Sequence, residues 1–201
     1  DGDPTGRCLI IVTPDGERTM NTYLGASATL STADLDLDLI RAAQVTFLEG
    51  YLFDRDPAKA AFRAAAEAAH AAGRKVALSL SDSFCVERHH DDFLSLVHEG
   101  VDILFANEEE ITRLFEVDTF DEGVAAVRGA CEIAAVTRGK DGSVIATADA
   151  LVEVPAHQVP KLVDTTGAGD LYAAGFLYGW TRGEDLAECG RLGSIAAAAV
   201  I

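Results

Sequence analysis

Two periodicities take turns along this chain. Residues 7–13 are apolar and strand-forming, Pro14-Asp15-Gly16 reads as a turn, and residues 17–24 return as a second strand, so the opening is a β-hairpin. From Ser31 the spacing becomes helical, with Ser31 or Thr32 as N-cap ahead of Leu35, Leu39 and Ile40. Short apolar runs then alternate with amphipathic ones. Strands are predicted over residues 45–48, 75–80, 101–106 and 133–137, and helices over 57–72, 88–98, 107–114 and 120–130. That order builds βαβ crossovers on a parallel sheet, an α/β three-layer sandwich with a mainly parallel central sheet plus the hairpin. Residues 143–147, 151–154 and 159–163 read as further strands. The run 171–180 is helix-compatible, and Gly183-Glu184-Asp185-Leu186 begins a last helix that reaches the end.

Ligands of parallel sheets bind at the C-terminal ends of the strands, which puts three loops in view. Two are Glu49-Gly50-Tyr51-Leu52-Phe53-Asp54 and Ser81-Asp82-Ser83-Phe84. The third, Asn107-Glu108-Glu109-Glu110, has two readings: Asn107 and Glu110 form a capping box, or the carboxylates hold the water shell of a Mg²⁺ ion. The turn from Thr137 to Gly142 also reads two ways, as a plain hairpin or as a loop placing Thr137, Gly139 and Lys140 against phosphates. It lacks the Gly-Lys-Ser/Thr of a Walker loop. Asp34, Asp36 and Asp38 read as a solvated acidic face. His89 and His90, adjacent on a helix and facing different ways, read as surface residues.

The stretch Asp164-Thr165-Thr166-Gly167-Ala168-Gly169-Asp170 concentrates the chemistry. Glycines at 167 and 169 let backbone N–H groups approach an anion, and a helix starting near Gly167 aims its positive end at the same spot. Asp170 in the first turn is a poor phosphate ligand but a good acceptor for the proton of a hydroxyl attacking phosphorus. The bland alternative is a glycine turn whose aspartate caps a helix.

Followed by Leu171-Tyr172-Ala173-Ala174-Gly175-Phe176, this stretch resembles the C-terminal signature of the ribokinase (PfkB) family of carbohydrate and nucleoside kinases. The resemblance extends to the hairpin before Gly25-Ala26, to Asn107 and Glu110 as an Asn-x-x-Glu motif, and to Thr137-Arg138-Gly139-Lys140-Asp141-Gly142 as a Thr-x-Gly-x-x-Gly turn. It implies one ribokinase-like kinase domain over residues 1–201, with the hairpin 7–24 as a lid and a homodimer contact. It also implies transfer of a phosphoryl group from ATP, with Asp170 as base and the N–H groups of Gly167, Ala168 and Gly169 neutralising charge. Asn107, Glu110, Thr137, Gly139 and Gly142 would serve the nucleotide, Glu110 the Mg²⁺, and Asp164 with Thr166 a monovalent cation such as K⁺.

Residues 18–23, 49–54 and 79–81 resemble adenosine-kinase-like members most, implying adenosine or a related nucleoside as acceptor. A sugar kinase for ribose, fructose or a sugar acid stays open, as does a noncatalytic nucleotide-binding or interaction domain. The family's Gly-Gly and Asn substrate motif is not in this sequence, nor is a segment after Ile201 completing the nucleotide pocket, so the chain reads as incomplete at both ends.

Charge narrows the partners. Lys and Arg number 16 against 33 Asp and Glu, a net charge of -17 that opposes nonspecific binding to nucleic acid or an anionic membrane and otherwise reads as solubility; a small-molecule substrate is what the resemblance implies. Cys8, Cys85, Cys131 and Cys189 form no C-x-x-C pair and read as reduced core thiols. No signal peptide or membrane-length apolar run is seen, so the expected location is cytoplasmic.

Overall fold

The computed structural model describes residues 2–14 and 18–201; the predicted turn residues Asp15 and Gly16, and Glu17, lie outside the described residues. The chain divides into two compact units, one of Ala28–Thr137 with Ala146–Leu151, the other of Asp1–Ser27, Arg138–Ile145 and Val152–Ile201.

In the first unit, β3 (Val45–Glu49), β4 (Lys75–Ser79), β5 (Ile103–Asn107) and β6 (Ile133–Thr137) pair in parallel, with Val45 opposite Lys75, Ala77 opposite Ile103 and Asn107 opposite Thr137. β7 (Ser143–Ala146) and β8 (Leu151–Val154) lie mostly in the second unit. Val76, Ala77, Leu78, Ile103 and Leu104 are fully buried. Strands covered on both faces must be apolar throughout, which is why their runs do not alternate. Helices flank them: α1 (Leu37–Ala42), α2 (Asp56–Ala71), α3 (Ser83–Arg88), α4 (His90–Gly100), α5 (Glu108–Phe115) and α6 (Phe120–Val127). α2 turns most of its alanines and Phe62 inward, where the Phe53 ring lies tilted at 5.4 Å from Phe62 and 4.5 Å from Phe93.

The second unit holds the hairpin of β1 (Thr5–Val12) and β2 (Arg18–Gly25), antiparallel with Thr5 opposite Gly25. It also holds α7 (Ala168–Trp180) and α8 (Leu186–Ala198), which pack through glycines: a Cβ on Gly175 would meet the Leu192 carbonyl oxygen at 2.5 Å. Among the described residues no helix is long and apolar enough to cross a membrane.

Several local expectations are corrected. Ser31 caps only a 3-10 turn, Thr32–Asp34, and α1 begins later because Asp36 caps it through Asp38 N and Leu39 N. Asp34, Asp36 and Asp38 are all exposed, as a solvated acidic face requires, while Asp34 accepts from Ser31, Asp36 caps α1 and Asp38 pairs with Arg41 at 2.9 Å. The helix expected at 88–98 is two, because Asp82 starts α3 early and His89 separates it from α4. His89 and His90 do face different ways, but both are half-buried and hydrogen-bonded, His90 to the Leu114 carbonyl. Residues 159–163 are not a strand; Pro160 lacks an N–H for a ladder, and Val163 N donates to Ile201 O instead. Of the four free thiols Cys85 and Cys189 are buried and Cys131 half-buried, whereas Cys8 is exposed on the hairpin.

Candidate active site

The C-terminal ends of the parallel strands carry the first group of side chains. Asn107 closes β5 and caps α5: its side-chain oxygen accepts the Glu110 N–H at 2.9 Å, while a Glu110 carboxylate oxygen accepts the Asn107 N–H at 2.9 Å. The capping box is therefore formed. It is also unusual, because Glu110 is buried; desolvation pushes its carboxyl up to about 7, the Asn107 N–H opposes this, and the Asp82 and Glu109 carboxylates add to it. Glu109 in turn accepts the Ser83 hydroxyl at 3.0 Å. Thr137, opposite Asn107 on β6, donates to the Ala106 carbonyl at 3.4 Å. Asn107 and Thr137 thus stand on neighbouring strand ends, with Glu110 in the first turn of α5. Next along the edge, Ser81 donates to Glu49 at 3.0 Å and accepts the Gly50 N–H at 3.1 Å. Tyr51 and Phe84, 42% and 64% exposed, lie on the loops that leave β3 and β4.

The second unit holds the glycine turn. Asp164 accepts both the N–H and the hydroxyl of Thr166, at 2.9 and 2.7 Å, and these bonds, with Arg18 nearby, hold its carboxyl below the usual range. Gly167 then takes φ 78°, a left-handed conformation that admits glycine, and starts α7. Ala168 N–H bonds back to Thr165 O at 3.2 Å. The N–H groups of Gly169 and Asp170 lie in the first turn, where helix geometry supplies no acceptor. Gly169 has negative φ and open space where a Cβ would stand, so neither backbone nor packing requires glycine there. A helical glycine costs about 1 kcal/mol relative to alanine. Asp170 is exposed beside that opening.

Gly139 and Gly142 bracket a 3-10 turn, Gly139–Asp141, closed by Arg138 N–H to Gly142 O at 2.7 Å. Gly142 answers to packing: its φ is 92° and a Cβ would stand 2.1 Å from the Val154 carbonyl oxygen. Gly139 has positive φ and open space around it.

Arg18 received no separate role from the sequence, yet its guanidinium donates to the Thr165 hydroxyl at 2.5 Å and so brings a cation to the glycine turn. Ser81, which ties Glu49 to Gly50, was also missed as an organising residue. The only signal for either was position, at the start of a returning strand and just after a buried one.

The opening before Gly169 fits an anionic group, and the acids Asp82, Glu109 and Glu110, whose mutual repulsion a hard cation would relieve, fit Mg²⁺ through oxygen ligands. The model of the pfkB family carbohydrate kinases matches residues 1–201. This chain belongs to that family. Among solved structures of the family's fold, adenosine kinase from Sinorhizobium meliloti is 50% identical with a TM-score of 0.97, covering 100% of this chain and 62% of that one. A probable sugar kinase from Rhizobium etli is 48% identical with a TM-score of 0.95, covering 98% of this chain and 60% of that one. A nucleoside kinase of Methanocaldococcus jannaschii is 37% identical over 57% of this chain and 37% of its own length. The chain thus spans about two fifths to three fifths of these relatives' length.

Proposed function

We propose that the protein transfers the γ-phosphoryl group of ATP to a hydroxyl of adenosine or a related nucleoside. The observation that carries this reading is Asp170, exposed in the first turn of α7 beside a glycine that nothing in the fold requires. Asp170 takes the acceptor hydroxyl's proton as its oxygen bonds to the γ-phosphorus, and the bond to the β–γ bridging oxygen breaks to release ADP. Such a base contributes typically about 10²–10⁴ in rate. The N–H groups around Gly167, Ala168 and Gly169 receive charge developing on the transferred group, with Ala168 the weakest contributor because its N–H already bonds Thr165 O. Asn107 and Glu110 would hold Mg²⁺, which would supply charge neutralisation at the phosphates. Thr137, Gly139 and Gly142 line the nucleotide, and Asp164 with Thr166 offers oxygens to a monovalent cation such as K⁺.

A nucleoside acceptor is favoured over a sugar by the flat, exposed rings of Tyr51 and Phe84 at the strand ends, which suit stacking on a base. The sugar reading rests on the similarity to the Rhizobium etli protein. The reading extends to one kinase domain over residues 1–201, a cytoplasmic location, and a lid that also joins two copies through exposed Leu9 and Ile11. Offering the full-length protein adenosine, ribose and fructose in parallel, with ATP and Mg²⁺, tests the acceptor: ADP release with adenosine alone is expected. Release only with a sugar would transfer the mechanism to the second reading.

A further inference from the structure

Asp54, which the mechanism above leaves unused, is the hub of a polar cluster. Its carboxylate accepts from Arg88 Nε at 3.2 Å, from Arg88 Nη2 at 3.0 Å, and from His89 Nε2 at 2.8 Å. Cys85 Sγ lies 3.9 Å away, so Asp54, Cys85 and His89 bring three ligand-type atoms within 4.8 Å of one another. Hydrogen-bond polarity argues against a metal. Lys59 Nζ sits 3.2 Å from His89 Nδ1, and an ammonium only donates, so Nδ1 accepts and Nε2 carries the proton given to Asp54. A ligating histidine needs the reverse, with its second nitrogen donating to an acceptor. Arg88 and Lys59 also place two positive charges against the trio.

The cluster instead joins two loops. Asp54 ends the 3-10 turn Gly50–Asp54 that leaves β3; Arg88 ends α3, which leaves β4, and His89 follows it. The same two loops are joined at their other end by the Ser81 hydroxyl between Glu49 and Gly50, where a Cβ on Gly50 would stand 2.4 Å from the Leu80 carbonyl oxygen. Between these fastenings the loops carry Tyr51 and Phe84. An exposed, isolated ion pair would contribute little, but this one is forked, receives a third donor from His89, and continues through Lys59 to Asp92 at 2.6 Å and from Arg63 to Asp92 at 3.0 Å.

We infer that Asp54 is a positioning residue for the acceptor: through Arg88 and His89 it fastens the loop after β3 to the loop after β4, so that Tyr51 and Phe84 are presented as one surface. The acceptor role rests on the kinase reading above; the fastening does not. The test uses the full-length protein with Asp54→Ala and with Asp54→Asn, which keeps an acceptor for His89 and removes the charge gripped by Arg88. Hydrogen exchange is followed in residues 50–54 and 81–89, with β4 and β5 as internal reference. Exchange in those segments should quicken about tenfold in Asp54→Ala and less in Asp54→Asn, with the reference strands unchanged. KM for the acceptor should rise about tenfold while KM for ATP stays within twofold, since small misplacements of bound groups are costly. Unchanged exchange in both variants would overturn the fastening. Faster exchange with the acceptor KM unmoved, or with both KM values rising alike, would overturn the positioning role. A wild-type protein that turns over no acceptor defeats the kinase reading separately, and the exchange data still decide the fastening.

Discussion

Glu110→Gln isolates the buried carboxylate beneath the capping box. In the folded chain burial lifts the Glu110 carboxyl from an ordinary 4.5 to about 7, against the pull of the Asn107 N–H. Unfolding returns it to the ordinary value, so between these two pH values the folded state holds a proton that the unfolded state has lost. Stability from this group is fully present below pH 4.5 and declines as the pH rises through about 7. At 1.36 kcal/mol per pH unit the full decline is on the order of 3 kcal/mol. Glutamine is neutral at every pH and is accepted at this position of a capping box, so the variant keeps an acceptor for Asn107 N–H without the titration. Urea unfolding of both proteins at several pH values from 5 to 8, in Mg²⁺-free buffer, cancels every group they share. The variant's midpoint should gain on the wild type as pH rises, by about 1–2 M over the range for an ordinary urea slope. Parallel midpoints across the range would refute the account of Glu110. Adding Mg²⁺ at pH 8 should recover stability in the wild type and leave the variant unchanged.

Two further substitution and labelling experiments follow from local geometry. Gly169→Ala meets open space and a helical φ, so it should raise stability by about 0.5–1 kcal/mol while lowering kcat at least tenfold; a stabilised variant with full turnover would show that the glycine serves no approaching group. With a thiol reagent on the native protein, Cys8 should react first. Burial pushes Cys85 and Cys189 up to about 11 and Cys131 up to about 12, so these should wait for unfolding, and prompt reaction of all four would contradict the packing described.

The strand and helix order was legible because buried parallel strands and alanine-rich α2 carry strong, uninterrupted patterns. Caps were legible where the pattern is short-range, as at Asn107 with Glu110 and at Gly167 before α7. Legibility failed where tertiary partners decide. Ser31 and Asp36 are both good caps, and only packing gives α1 to the second. Residues 159–163 have strand composition, but among the described residues they form no ladder, and Val163 N–H bonds to Ile201 O instead. The ties of Arg18 to Thr165 and of Asp54 to Arg88 join positions 147 and 34 residues apart, a separation that spacing along one chain does not encode. Glycine shows the same limit: Gly142 and Gly169 look alike in sequence, yet one answers to the Val154 carbonyl and the other to empty space.

The central claim is that Asp170 takes the proton of the attacking hydroxyl. It is tested most directly by single-turnover ADP release from full-length wild type and Asp170→Asn, with ATP affinity measured on the same preparations. The account predicts ATP binding within twofold of wild type and a rate lower by about 10²–10⁴. A variant that turns over at the wild-type rate would contradict it.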